Sequence, residues 1–310
     1  MEERPKIKLY KVRSFSERFS TVMDFIRENW KVILKFFTYF MLPLSIIQGM
    51  FVDSVTSLSS GVGLRGFANL PVSSIFEYSS YIMITLISSL LVASMIFSMV
   101  QLYQNREERL KHLEFSELWQ QMVHNMGRIF LAFIVAILIL GVFLSILAGL
   151  GMLSMLTLIL TLPLFFVLFV PLVLLPVFMS FDSDGFVQII SNTFVYGIKT
   201  WGGTFLFIFL MGFIANLASG ITSTPWYVIY MFKTMIPMLN HSTVVETSSV
   251  GTNIGMYIVG IIMTYGSQLA SCLLTLALVF QYGHLKDKFE NLSVDEEIEN
   301  FDQTKEDSFI

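Results

Sequence analysis

Charge is scarce in this chain. Asp, Glu, Lys and Arg make up 14% of its 310 residues, against about 25% in ordinary soluble domains. No Asp, Glu or His falls in the central part of any long apolar run. Buried ionisable groups mark proton relays and ion-coupled carriers, so their absence argues against an ion-coupled pump. Cysteine is nearly missing. A lone Cys272 excludes an intramolecular disulfide and a cysteine-based metal cluster, and its apolar neighbours make it a small packing residue. The four histidines, His112, His124, His241 and His284, cluster neither with one another nor with paired carboxylates, whereas a zinc site needs three or four converging ligands. Gly-x-Ser-x-Gly, Gly-x-Gly-x-x-Gly and Walker-type loops are also missing. These gaps point to a protein that is not an enzyme, holds no metal or cofactor and engages no nucleic acid. A cleavable signal peptide is not expected either, because the first 30 residues are polar and basic and the apolar run behind them is too long.

What the chain has in abundance is apolar surface. Hydrophobic residues reach 55%, with 30 Phe and 18 Met, and mean hydropathy is +0.70. Six runs are long enough to cross a bilayer: about 32–52, 81–103, 129–149, 153–180, 202–221 and 254–281. The third and fourth are parted only by Gly149-Leu150-Gly151-Met152 and form a tight helical hairpin. Pro43 sits in the first run, and Pro163, Pro171 and Pro176 in the fourth. Each proline removes a backbone donor and kinks its helix, and the freed carbonyls need cover from neighbouring helices. The fourth span is therefore expected to be central.

A motif recurs ahead of three of these runs. Phe15, Phe19, Val22, Met23, Ile26 and Trp30 form its first copy; Phe115, Leu118, Trp119, Met122, Met126 and Phe130 its second; Phe186, Ile189, Ile190, Phe194, Ile198 and Trp201 its third. Each copy shows the i, i+3, i+4, i+7 spacing of a one-sided helix. Ser14-Phe15-Ser16-Glu17 has the form of a capping box that would start the first. The reading is an all-α polytopic membrane protein with six transmembrane helices, three cytoplasmic amphipathic interfacial helices and a threefold internal repeat. Trp30, Trp119 and Trp201 are its interfacial anchors.

Lys and Arg set the orientation. Nine lie in or beside the N-terminal segment, four after the second run, one after the fourth and three beyond the sixth, while only Arg65 and Lys233 fall on the other side. The positive-inside rule places both termini in the cytoplasm. Residues 1–14 then form a basic cytoplasmic tail without fixed structure, 15–285 one transmembrane domain and 286–310 an acidic cytoplasmic tail. Residues 53–80 and 222–250 become long external loops, with the apolar stretch Pro225–Phe232 lying at the outer interface or folded back onto the bundle.

Polar residues inside the runs are mild. Gln48, Asn216 and Gln268 lead them, with Ser88, Ser89, Thr264, Ser267 and Ser271. Packing between helices at about 0.6 kcal/mol each is the default reading, and the lining of a substrate path is the alternative. Gly251, Gly255, Gly260, Gly266 and Ala270 give the last run a small-residue face for close helix packing.

The segment Asp184-Gly185-Phe186 through Trp201-Gly202-Gly203-Thr204-Phe205 resembles a broad group of bacterial six-span membrane proteins similar to the membrane domain of glycerophosphodiester phosphodiesterases. The resemblance implies this topology over about residues 15–285, and the low-charge, Phe-rich composition with an acidic tail suits a bacterial inner membrane. The resemblance lends no catalytic residue, since the phosphodiester chemistry of those fusions belongs to a separate soluble domain. Two functions follow: a non-enzymatic accessory component that organises a membrane assembly, meeting membrane lipids and a protein partner on its cytoplasmic face, or a lipid or small-solute transporter without buried charges.

Overall fold

A computed structural model describes residues 5–65, 72–153, 155–239 and 250–292, less the side chains of 57–65, 153, 155–162, 164, 234, 236–239 and 250–253. His241 and the acidic stretch from 293 onward lie outside the described residues. The chain is all-α: α1 Phe15–Arg65, α2 Val72–Asn105, α3 Phe115–Leu153, α4 Met155–Phe181, α5 Phe186–Lys199, α6 Trp201–Leu239 and α7 Val250–Glu290. Among the described residues five helical stretches are long and apolar enough to cross a membrane, within Phe15–Thr56, Val72–Asn105, Phe115–Met152, Trp201–Lys233 and Ile254–Glu290, and a shorter apolar helix covers Phe165–Phe181. This is a helical multi-pass membrane protein.

The three motif copies each open a helix, and the opening residue is the motif's phenylalanine: Phe15 for α1, Phe115 for α3 and Phe186 for α5. The buried positions also agree in register. Counting from that Phe, the residue three further on is buried in every copy (Arg18, Leu118, Ile189), and so is the residue seven further on (Val22, Met122, Thr193). In the first two copies the match extends to Phe25 and Asn125, and to Asn29 and Ile129. In α1 and α3 the amphipathic stretch and the apolar run are one unbroken helix, whereas α5 stops at Lys199 before α6 begins.

The buried face coincides with the apolar stripe read from the sequence only in part, at Val22, Leu118, Met122 and Ile189. Trp30, Trp119 and Phe130 are exposed, while Arg18, Asn29 and Asn125 are buried. Spacing reveals an apolar face but not its neighbour. In a membrane protein the apolar stripe can meet lipid, and polar groups must find partners inside the protein.

Several boundaries shift for the same reason. Residues 222–239 continue α6 instead of forming a loop, carrying Pro225 inside the helix, and α1 runs past 53 to Arg65. At the other end α7 extends through 286–290, where Lys286 and Asp287 are buried. Among the described side chains of the fourth span, the buried ones lie in its second half. Val170, Pro171, Leu174, Leu175, Val177 and Phe178 are buried, but Pro163, Phe165, Phe166 and Phe169 are exposed.

The helices fall into two compact units, one of Met1–Val32, Ser94–Met211 and Thr275–Ile310, the other of Ile33–Ala93 and Gly212–Leu274. In the first, α5 approaches α4 closely because a glycine meets a proline. A Cβ on Gly197 would lie 3.2 Å from Pro171 Cγ. In the second, Val52, Trp226 and Met256 make the core. The small face of α7 packs there as expected at Gly260, where a Cβ would lie 3.4 Å from Gly49 O, and at Gly266, which leaves no room for a side chain beside Thr222, while a Cβ on Gly255 would meet nothing within 4 Å.

Candidate functional site

Residues 5–14, read from sequence as a tail without fixed structure, are a strap bound into the first unit. Leu9 and Arg13 are buried. The Val12 N–H donates to Asp287 Oδ2 at 2.7 Å and the Arg13 N–H to His284 Nδ1 at 3.0 Å. The Ile7 N–H donates to the Tyr103 hydroxyl, and Gln104 Nε2 returns a bond to Ile7 O. The Arg13 guanidinium ties the strap to itself through Leu9 O and Lys8 O. Gly283 is required beneath it, because a Cβ there would overlap Leu9 O. At the strap's end the capping box forms as expected: Ser14 N–H donates to Glu17 Oε2 at 2.7 Å and Glu17 N–H to Ser14 Oγ at 3.3 Å.

The strap borders a wide basic depression of about 830 Å³ lined by Lys6, Lys8, Lys11, Arg27, Arg109 and Lys111, with Asp24 and Glu28 on its wall. Arg109 reaches Glu28 at 2.7 Å.

Beneath lies a polar interior that periodicity does not show. Lys286 Nζ meets Asp182 Oδ1 at 2.7 Å and Glu290 Oε2 at 2.8 Å. Burial pushes the Asp182 carboxyl above its usual range, and the Lys286 ammonium opposes it. The Tyr196 hydroxyl donates to Glu290 Oε1 at 2.8 Å. Burial, then that carboxylate, raises Tyr196 to about 12. Asn125 Nδ2 donates to Ser98 Oγ and Gln101 Oε1, Gln121 Nε2 to the same Gln101 oxygen, and Gln101 Nε2 to Ser180 O. This amide chain joins α2, α3 and α4 and walls a 320 Å³ cavity with His124 and Arg128.

In the second unit the polar residues singled out from sequence separate. Gln48 and Gln268 line one 270 Å³ pocket, together with Tyr81, Thr85, Ser89, Thr264 and Ser267. Gln48 Nε2 donates to Thr85 Oγ1 at 3.0 Å, and its buried Oε1 has no protein partner. Asn216 stays outside this pocket and donates to Gly212 O within its own helix. Thr85 and Tyr81 carried no signal in the sequence, since neither breaks an apolar run.

Of the tryptophans, Trp201 alone is half-buried. Its Nε1 donates to Phe166 O at 2.9 Å, and its ring stacks on Phe205. Lys31 lies over the Trp30 ring and Phe115 stacks on Trp119. Pro43, Pro163, Pro171 and Pro176 all lie inside continuous helices, and the Pro176 carbonyl accepts from Ser180 Oγ. Cys272 is buried. Among the described residues no three metal-ligating side chains converge. No family model, curated protein or solved structure matches this chain.

Proposed function

We propose that the chain is a non-enzymatic accessory component of a bacterial inner-membrane assembly, with six spans, both termini in the cytoplasm and three repeated units that each open on a cytoplasmic amphipathic helix. The distribution of Lys and Arg supports the orientation. The shared burial register behind Phe15, Phe115 and Phe186 supports the repeat. The observation that carries the functional reading is the bound strap. It holds Lys6, Lys8 and Lys11 at the edge of a basic depression, so a partner would meet a preorganised surface and lose little entropy in ordering it. Its partner is a protein with an acidic face. Extraction into native nanodiscs and mass spectrometry of what co-purifies tests this. A near-stoichiometric protein that is lost when Lys8 and Lys11 become Glu is the expected result; no protein co-purifying with the wild type overturns it.

The alternative, movement of a lipid or small solute, is favoured by the pocket that joins Gln48 to Gln268. Flux through proteoliposomes above that of empty vesicles, abolished by Gln268→Leu, would establish it in place of the accessory role.

A further inference from the structure

The first unit also contains a smaller cavity, of about 240 Å³, where α5 hands over to α6. Three cations line it, Arg18, Lys199 and Lys288, and among the described residues no carboxylate does. Gln281 and His284 complete the α7 side.

Arg18 is the telling residue. It is 7% exposed, yet among the described residues no carboxylate lies within ion-pair distance of it. Its Nη1 donates to Gln281 Oε1 at 2.7 Å, and its Nε has no partner. The guanidinium lies against the edge-to-face pair Phe15 and Phe207, with ring centroids 5.5 and 5.1 Å away. Such contacts stabilise a cation by about 0.5–2 kcal/mol and do not neutralise it. A buried charge without a counter-ion is strongly disfavoured. His284 cannot supply one, because its Nδ1 accepts the Arg13 N–H, which leaves the other ring nitrogen as its donor.

The opposite wall is the start of α6. The N–H groups of Trp201, Gly202 and Gly203 belong to a first turn, where no earlier carbonyl of the helix can receive them. Thr204 N–H is already bound to Thr200 O. Glycine disfavours a helix by about 0.5–1 kcal/mol relative to alanine, and packing does not call for it here. A Cβ on Gly202 or Gly203 meets nothing within 4 Å, and neither has a positive φ. What two bare backbone positions do provide is close approach for an anion to a helix N-terminus.

We propose that this cavity binds a phosphate group, carried by an anionic lipid headgroup or by free inorganic phosphate. Arg18 and the first-turn N–H groups hold its oxygens, while Lys199 and Lys288 close the rim. The position suits a headgroup, because a stretch apolar enough to span a membrane begins at Trp201, and cations beside a span attract anionic lipid. This ligand is separate from the protein partner proposed for the strap.

The test uses the full chain, purified in detergent and stripped of lipid. Native mass spectrometry measures retention of dioleoyl phosphatidic acid against dioleoyl phosphatidylcholine. Thermal melting compares inorganic phosphate with chloride at equal ionic strength. The Gly202→Ala/Gly203→Ala double variant removes the bare backbone without disturbing packing, so it melts no lower than wild type and loses at least about tenfold in affinity, the equivalent of one charge-assisted hydrogen bond. Lys199→Ser/Lys288→Ser behaves likewise. Selective phosphatidic acid retention with no phosphate effect assigns the headgroup; a phosphate-dependent rise in melting temperature that the double alanine abolishes assigns the free ion. Binding of neither probe, or equal binding by wild type and both double variants, overturns the proposal.

Discussion

Lys286 Nζ lies 2.7 Å from Asp182 Oδ1, and both side chains are buried, 5% and 7% exposed. Truncating one partner of such a pair leaves a charge in a poorly solvating site and costs about 3–5 kcal/mol, whereas removing both is far milder. Lys286→Met should therefore lower the melting temperature sharply, and Asp182→Asn/Lys286→Met should recover the part of the loss due to Asp182, while Glu290, which shares the same ammonium, stays unpaired. A double variant as unstable as the single would show that the pair is not coupled as the distance implies.

Tyr196 and Glu290 make the same end of the molecule sensitive to alkali. The phenol titrates near 10 in an unfolded chain and at about 12 in the fold. Its contribution to stability is thus complete below pH 10 and is lost as pH rises through 12. Tyr10, raised by burial as well, acts in the same direction. The melting temperature in detergent should fall between pH 10 and 12, and Tyr196→Phe should fall less steeply. Identical slopes for the two proteins would assign the alkaline loss elsewhere.

The strap depends on a glycine. Adding a methyl group at Gly283 collides with the main-chain oxygen of Leu9, an atom that cannot rotate aside. Overpacking of this kind costs about 1–3 kcal/mol and here acts on a segment rather than on the whole fold. Gly283→Ala should expose Lys8, Lys11 and Arg13 to trypsin under conditions where the wild type resists. Gly255→Ala, whose new Cβ meets nothing, is the control and should leave digestion unchanged. A wild type already cut within 5–14 would contradict the bound strap.

How much of this was legible in the sequence follows from which quantities a sequence pattern measures. Hydropathy measures length and apolarity, so the α class and five long apolar helices came through, whereas Gly149-Leu150-Gly151-Met152, read as the turn between two spans, lie inside α3, because glycine in an apolar run does not by itself end a helix. The capping box came through because its partners are three residues apart. The strap did not, because Val12 bonds to Asp287 and Arg13 to His284, across almost the whole chain. Arg18 was counted as one of many basic residues, since nothing local distinguishes a buried arginine from an exposed one. The doublet Gly202-Gly203 stood in view as part of a resemblance, and only the empty space around it gives it meaning. Gln48 and Gln268 were readable as polar residues in apolar runs, but their shared pocket, and the absence of Asn216 from it, depends on helix rotation.

Trp201 shows how unequal the three anchors are. Trp30 is 51% exposed and Trp119 42%, so each mainly touches its surroundings, whereas Trp201 bonds through Nε1 to the Phe166 carbonyl of α4 and stacks on Phe205 at 5.1 Å. The carbonyl that Pro171 frees is that of Val167, four residues before it, and Phe166 O stands one residue ahead of that interrupted rung, where the indole adds a bond from α6. Trp201→Ala should lower folded yield and melting temperature, by about 0.5–1.5 kcal/mol for the lost bond alone, with the lost stacking adding to it. Trp201→Phe should recover the stacking but not the bond, and fall between. Trp30→Ala should change melting by less than either. Equal losses for Trp30→Ala and Trp201→Ala, measured in the same detergent, would mean that a generic interfacial preference and not the α4 bond sets the importance of these residues.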